Sequence, residues 1–497
     1  MSNKNEWNSN LSFLLAMIGS AIGLGNIWRY PYVLYSNGGG TFYIPYITAI
    51  LLLGIPFLIL EYGVGYNYKS SFAKAITQIN SKWQYLGWFI PVTVFIFTVY
   101  YSVVLAWDGL YVVLSFSKAW GANPDAYFST TLLQSSQNFT GLLNFVPIIG
   151  IAIAIVWIII WFISHRGLEK GIGNVSKVLV PLLFIVMIVL VGFSLNLPGA
   201  AIGLNELFNP NWHLLTKFDI WMAAFAQIIF SISLGMSISF TYASYIKKDT
   251  DLITSALTIT FANAIFENIA ALGVFSVLGY MSLQSGIAVH DLVTQGIGIV
   301  FIVYPTVFNI LGQWGFILGP LFFFTVYLAG FTSILSSIEP LSFSIQNKFN
   351  ISRFKTITIL IIAGALLAML FATSFGQTLL EYVDTFINLI ALLFAIFFEC
   401  IIFAWMFKAE RLIDFLNSRT KTFKLGKWWL IIVKYILPIF ILIIWFGGII
   451  AVVPTWTFRQ LISSVLCGIF LLVTTLILTI LPAKDENWNK KLERVRI

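Results

Sequence analysis

The chain has 497 residues, of which 59% are hydrophobic and only 10% charged, a balance that no soluble domain carries. The net charge of +8 suits a membrane protein beside anionic lipid, so the expected partner is the lipid bilayer and not nucleic acid. Two cysteines in apolar segments and three separated histidines give neither a disulfide framework nor a metal cluster, and no GxxxxGK[ST] loop for ATP occurs.

An apolar run of about 18 residues or more can cross roughly 30 Å of hydrocarbon as a helix, and the chain has twelve. They fall at 11–35, 41–67, 86–116, 144–163, 171–196, 218–246, 252–283, 314–340, 352–373, 377–407, 429–453 and 456–481. The stretch 298–311 is too short to span alone and reads as a re-entrant or loop helix. The first segment is too long for a signal-peptide core and has no small-residue cleavage site, so it stays in the protein.

Lys and Arg set the orientation. Most of the 28 basic residues share one side, among them Lys69, Lys74, Arg166, Lys170, Arg353, the run from Lys408 to Lys427 and the tail from Lys484. The other side holds Lys118, Lys217 and Arg459. Both termini are therefore expected in the cytosol of a cell-membrane protein. The organisation predicted is a cytosolic segment 1–10, helices 1–5 over 11–196, an extracellular loop 197–217 and helices 6–10 over 218–408. A cytosolic loop 409–428, helices 11 and 12 over 429–481 and a cytosolic tail 482–497 follow.

Two segments carry interruptions, the first around Ser20–Gly25 and the sixth around Ser231–Gly235. Backbone loosened at membrane depth survives only where it lines a polar cavity, and there it offers carbonyls to cations and N–H groups to anions. Interruptions five helices apart point to two inverted five-helix halves with the site between them. Gly171 and Pro181 mark the cytosolic start of helix 5 either as an end that frays or as a plain proline kink.

WNSNLSFLLAMIGSAIGLGNIWRYPYVLYSNGGGTFYIPY, from Trp7 to Tyr46, strongly resembles the first two helices of the neurotransmitter:sodium symporter family, whose prokaryotic members share the LeuT-type fold. Tyr100–Tyr101, Trp107, QIIFSISLGM (Gln227–Met236), TYASY (Thr241–Tyr245), Asn263 and AGFTS (Ala329–Ser333) follow in the family's order. The fold class implied is an all-α membrane protein with twelve transmembrane helices, a 5+5 inverted repeat and discontinuous helices 1 and 6.

The resemblance implies two sodium sites. Asn26, Asn263, Ser231 and the Ala21 carbonyl would form the first, completed by the cargo's carboxylate; Gly19, Ile22 and Ala329 carbonyls with Thr332 and Ser333 hydroxyls would form the second. Na⁺ is a hard cation, and neutral oxygens suit it where extra buried charge is costly. The cargo's carboxylate would meet N–H groups near Leu24 and Gly25 and the Tyr101 hydroxyl, and its ammonium the carbonyls of Ser20, Phe230 and Ser231. Relatives that carry monoamines have an Asp where this chain has Ser20, so an α-amino acid is expected. Phe97, Tyr101, Phe230, Ser233, Met236, Ser333 and Ser337 would form a neutral, largely aromatic wall for a hydrophobic side chain.

By the same resemblance Arg29 and Asp384 would gate the outside, with Phe230 stacked over Tyr101 as the lid beneath. Lys4 and Tyr245 would brace the inside, where Asn347 replaces the family's acid and a weaker closure is expected. Glu61 and Glu399 would hydrogen-bond loose helix ends. Glu267 follows Asn263 by one turn on the same face. Chloride-dependent relatives carry Ser there, so the carboxylate would replace chloride, and once sodium leaves it would carry a proton outward. The function expected is sodium-coupled import of a neutral L-amino acid by alternating access, with two Na⁺, no chloride requirement and no enzymatic chemistry. The alternative is an amino-acid sensor on a transporter fold, binding without transport. The short loop 117–143 lacks the cysteines of animal relatives and points to a prokaryotic host, against which stands the Asn138–Thr140 sequon. Oligomeric state leaves no mark on the sequence.

Overall fold

A computed structural model describes residues 6–247, 250–293 and 296–490. Among these, ten helices are each long and apolar enough to cross a membrane. They are α2 (Gly39–Tyr68), α3 (Ser81–Leu114), α4 (Pro147–Ser164), α5 (Leu168–Leu195), α7 (Leu252–Ser285), α8 (Gly312–Phe349), α9 (Arg353–Phe371), α10 (Gly376–Met406), α11 (Lys427–Thr455) and α12 (Phe458–Ile480). The first and sixth spans are each in two pieces: α1a (Asn10–Ala21) with α1b (Leu24–Ser36), and α6a (Phe218–Ser231) with α6b (Ile238–Ser244). Counting each broken helix as one span gives up to twelve among the described residues.

Local chemistry sets the ends. Ser9 caps α1a by accepting from Ser12 N, Asp251 caps α7 by accepting from Thr254 N, and Thr457 caps α12 by accepting from Gln460 N. Helix α3 is the bundle's axis: 94% of its apolar window is buried, against 17% for α11 and 22% for α12, which therefore sit at the periphery. Ile299–Ile310 is a short apolar helix on the flank of α8, its Tyr304 ring stacked 3.8 Å from Phe322.

Three boundaries differ from those predicted. Helix α8 continues past 340 to Phe349, because Pro340 falls in the first turn of its terminal piece (Glu339–Phe349), where proline's missing N–H is harmless. Helix α6b stops at Ser244. Helix α5 begins earlier, at Leu168, with a wide π-helical turn through Gly173. Gly171 is needed there for contact, since a Cβ would lie 2.2 Å from the Ile163 carbonyl at the end of α4.

Candidate functional site

The two breaks face each other across α3, α8 and α10. In the first, Ile22 and Gly23 are extended (φ −76°, ψ 106° and φ −127°, ψ −169°), and the axis bends by 56°. In the second, Ser233, Gly235 and Ser237 all take left-handed backbone (φ 54°, 65° and 55°), which no α-helix can contain. The N-terminus of α1b and the C-terminus of α6a thus end inside the protein, one presenting N–H groups and the other carbonyls.

Between them lies a cavity of about 770 Å³. Leu24, Gly25, Phe97, Tyr101, Phe230, Ser231, Ser233, Met236, Ser333 and Ser337 all line it, so ten of the eleven residues expected around the cargo share one space, together with Ala21 of the first sodium set. Ser20 lies just behind it, its hydroxyl 2.7 Å from Ser336 Oγ and its carbonyl accepting from Ser333 Oγ at 3.2 Å. Leu24 N donates to the Tyr101 hydroxyl (3.1 Å), which ties α1b to α3 at the break. The Ser337 hydroxyl accepts from Thr98 Oγ1 at 2.8 Å.

The residues expected at the first sodium site are brought together. Asn26 Nδ2 donates to Asn263 Oδ1 (2.8 Å), and Asn263 Nδ2 donates to Ser231 Oγ (2.5 Å). Asn26 Oδ1 also accepts from Gly23 N at 2.8 Å, which braces the break. Behind them Glu267 is fully buried and acts as a hub. Its Oε1 accepts from Ser231 Oγ (2.6 Å), Gln227 Nε2 (2.9 Å) and Asn26 Nδ2 (3.2 Å), and its Oε2 from the Tyr46 hydroxyl (2.5 Å). Tyr46 and Gln227 lay inside the quoted motifs without a role. Gln227 stands one turn before Ser231, as Asn263 does before Glu267, and this paired i, i+4 register was the signal available.

The second set meets where α1a packs on α8. A Cβ on Gly19 would lie 3.1 Å from Thr332 Cβ and 2.8 Å from Val180 Cγ2, so the glycine permits the approach. Ile22 and Ala329 are buried, and Thr332 Oγ1 donates to the Ala329 carbonyl (3.1 Å). All five residues fall within this contact or the adjoining break.

Arg29 and Asp384 both line the outer part of the cavity, which continues to the exposed Glu381 and Gly296. Among the described residues they form no ion pair; Arg29 lies 4.6 Å over the Phe230 ring, and Asp384 accepts from Asn388 Nδ2 (2.7 Å). The expected Phe230–Tyr101 stack is not formed: Tyr101 stacks on Phe97 (5.1 Å, 24°), while Phe230 serves as a platform for the guanidinium. The cavity therefore opens toward Glu381 and Gly296.

Toward Trp7, Tyr245 and Glu339 the cavity gives way to buried, packed side chains. Lys4 lies outside the described residues, and Asn347 is engaged elsewhere, accepting from Ser71 N (3.0 Å). Tyr245, expected at this side, meets a set of residues that the sequence reading did not assign. Trp7 Nε1 donates to the Tyr242 carbonyl (2.9 Å) and Tyr245 OH to Glu339 Oε1 (3.0 Å). Arg353 grips both oxygens of Glu339 at 2.7 and 2.8 Å. A bidentate pair of this kind is among the strongest neutralising contacts a side chain can make.

The arrangement matches known proteins along most of its length. The sodium:neurotransmitter symporter family model matches residues 4–144 and 122–483. The chain is 36% identical over 436 residues to the uncharacterised sodium-dependent transporter MJ1319 of Methanocaldococcus jannaschii, covering 88% of each protein. It is 28% identical over 453 residues to the human sodium- and chloride-dependent GABA transporter 2, covering 83% of this chain and 74% of that one. Among solved structures, that of MhsT in complex with L-phenylalanine superposes with a TM-score of 0.73 at 28% identity, over 90% of this chain and all of the other. A twelve-span helical protein broken in its first and sixth helices, matched by this family from residue 4 to 483, is a sodium-coupled symporter of the membrane, and the chain belongs to the sodium:neurotransmitter symporter family.

Proposed function

We propose that the chain imports a neutral L-amino acid with a hydrophobic side chain, coupled to two sodium ions, with both termini in the cytosol. The observation that carries this reading is the division of the cavity into two chemistries. At the breaks, the α1b N-terminus with Tyr101 suits a carboxylate and the α6a C-terminus suits an ammonium. Away from them, Phe97, Phe230, Met236 and Val104 leave an apolar, uncharged wall. Met236 adapts to different shapes, and one methylene changes affinity by only about 1–3 kcal/mol in such a pocket, so related cargoes should share it. The phenylalanine held by MhsT is of the class this wall would accept.

Asn26, Ser231, Asn263 and Ala21 would hold one Na⁺ next to the cargo, and Gly19, Ile22, Ala329, Thr332 and Ser333 the other. Glu267, one turn from Asn263, would supply the negative charge that chloride supplies in other transporters and would return a proton when sodium has left. Arg29 and Asp384 would close the outer side once the cargo sits on Phe230.

The test is uptake of each of the twenty amino acids into proteoliposomes under an inward Na⁺ gradient, with K⁺ replacement and with phenethylamine as a decarboxylated control. Sodium-driven uptake of hydrophobic amino acids without phenethylamine uptake is the expected result. Binding without uptake would make the protein a sensor, and uptake of the amine would overturn the zwitterion reading.

A further inference from the structure

The residues following α12 fold back onto the protein. Trp488 is 2% exposed and stacks on Trp88 of α3, with centroids 5.9 Å apart at 22°. The backbone amides of Lys484 and Asp485 donate to the Lys348 carbonyl at the end of α8 (2.8 and 3.3 Å). Asp485 pairs with Lys74 at 2.5 Å, and Gln78 Nε2 donates to the Asn487 carbonyl at 3.0 Å, both from the short helix Phe72–Ile79. Lys348 is itself buried. Its ammonium donates to the Leu478 and Thr479 carbonyls of α12 (2.5 and 2.9 Å) and faces the Trp88 and Trp488 rings at 5.4 and 5.7 Å.

Residues 484–490 thus join α3, α8, α12 and the 72–79 helix at one place. The terminal piece of α8 that they hold begins at Glu339, the residue that meets Arg353 and Tyr245 in the closed mouth. One short helix is pinned at its far end by the tail and at its near end by the closure. The family match stops at residue 483, immediately before this segment.

We propose that residues 484–490 are a strap that fixes the end of α8 so that Glu339 stays in register with Tyr245 and Arg353. Its release lets the mouth on the chain-end side open. The strap acts as a brake on the closed-to-open step, whatever the cargo, so its test does not depend on the amino-acid reading.

Accessibility of the closed mouth reads this directly. Ser244 is buried at the end of α6b, and Ser244→Cys in a Cys400→Ala/Cys467→Ala background provides one thiol for a maleimide probe in nanodiscs with Na⁺. Truncation after Ala483 should speed labelling at least several-fold, and Trp488→Ala should do so to a lesser degree. Lys74→Asp should raise the rate about fivefold, as loss of one partly buried ion pair allows, and Lys74→Asp/Asp485→Lys should bring it back. The charge-swap pair carries the test if the truncated chain does not fold. A folded truncated protein labelled at the parent rate, or a swap that leaves labelling as fast as Lys74→Asp alone, overturns the proposal.

Discussion

Replacing Glu267 by Ser removes the acceptor on which four buried donors converge, from Asn26, Gln227, Ser231 and Tyr46 at 2.5 to 3.2 Å. A buried donor left without a partner costs about 1–3 kcal/mol. The new hydroxyl and an entering water recover part of this, so the four donors together leave a net cost of about 3–5 kcal/mol. At about 1.4 kcal/mol per tenfold, and with Asn26, Ser231 and Asn263 in the same network, the apparent sodium affinity of Glu267→Ser should fall roughly 100- to 4000-fold without chloride. Four donors facing one space are also what a chloride ion requires. Chloride should restore most of the loss, while the parent protein stays indifferent to it. The assay is sodium titration of cargo uptake in proteoliposomes, in NaCl and in sodium gluconate. Glu267→Ser that is folded and equally active in both salts, or a parent protein that needs chloride, refutes the reasoning.

Three further expectations follow from single contacts. Tyr101→Phe removes the acceptor for Leu24 N and should raise the KM for cargo about five- to thirtyfold with a smaller effect on kcat, read in initial-rate uptake. Gly19→Ala places a methyl 2.8 Å from Val180 and 3.1 Å from Thr332; overpacking of about 1–3 kcal/mol should raise the sodium concentration for half-maximal uptake about tenfold or more. Arg353→Lys keeps the charge but loses the two-point grip on Glu339, and Glu339→Gln leaves the guanidinium without its acid. Both should lower the thermal midpoint and speed efflux of preloaded cargo, the second more strongly, by about 3–5 kcal/mol of closure.

The spans and the breaks were legible because hydrocarbon imposes a simple rule: long apolar runs are helices, and glycine or serine clusters within them mark freed backbone. Asn26, Ser231 and Asn263 were legible as a group only through the family motifs, since each alone is an ordinary interhelical hydrogen bonder. The inner closure was not, because Glu339 and Arg353 meet around the turn after Phe349, where Asn350 takes left-handed backbone (φ 52°), and no motif spacing encodes that turn. The packing of the tail against the helices was not legible either. Its composition is polar, and the one informative residue, Trp488, becomes buried through Trp88 and Lys348, partners about 400 and 140 positions away, which local periodicity does not register. The neighbour of Phe230 is a similar case: ring type gives a propensity to stack, but sequence does not say that its ring meets the Arg29 guanidinium while Tyr101 stacks on Phe97.

The left-handed serines at 233 and 237 have an energetic consequence for turnover. Each holds a conformation disfavoured by about 1–2 kcal/mol for a residue with a Cβ. That distortion belongs to the fold itself, held by the buried packing around the break, so the open turn between α6a and α6b is a fixed part of the seat. On the proposed reading, the affinity gained from ions and cargo would be left for drawing Arg29 and Asp384 together, which would place the work of each cycle in moving the walls rather than in shaping the seat.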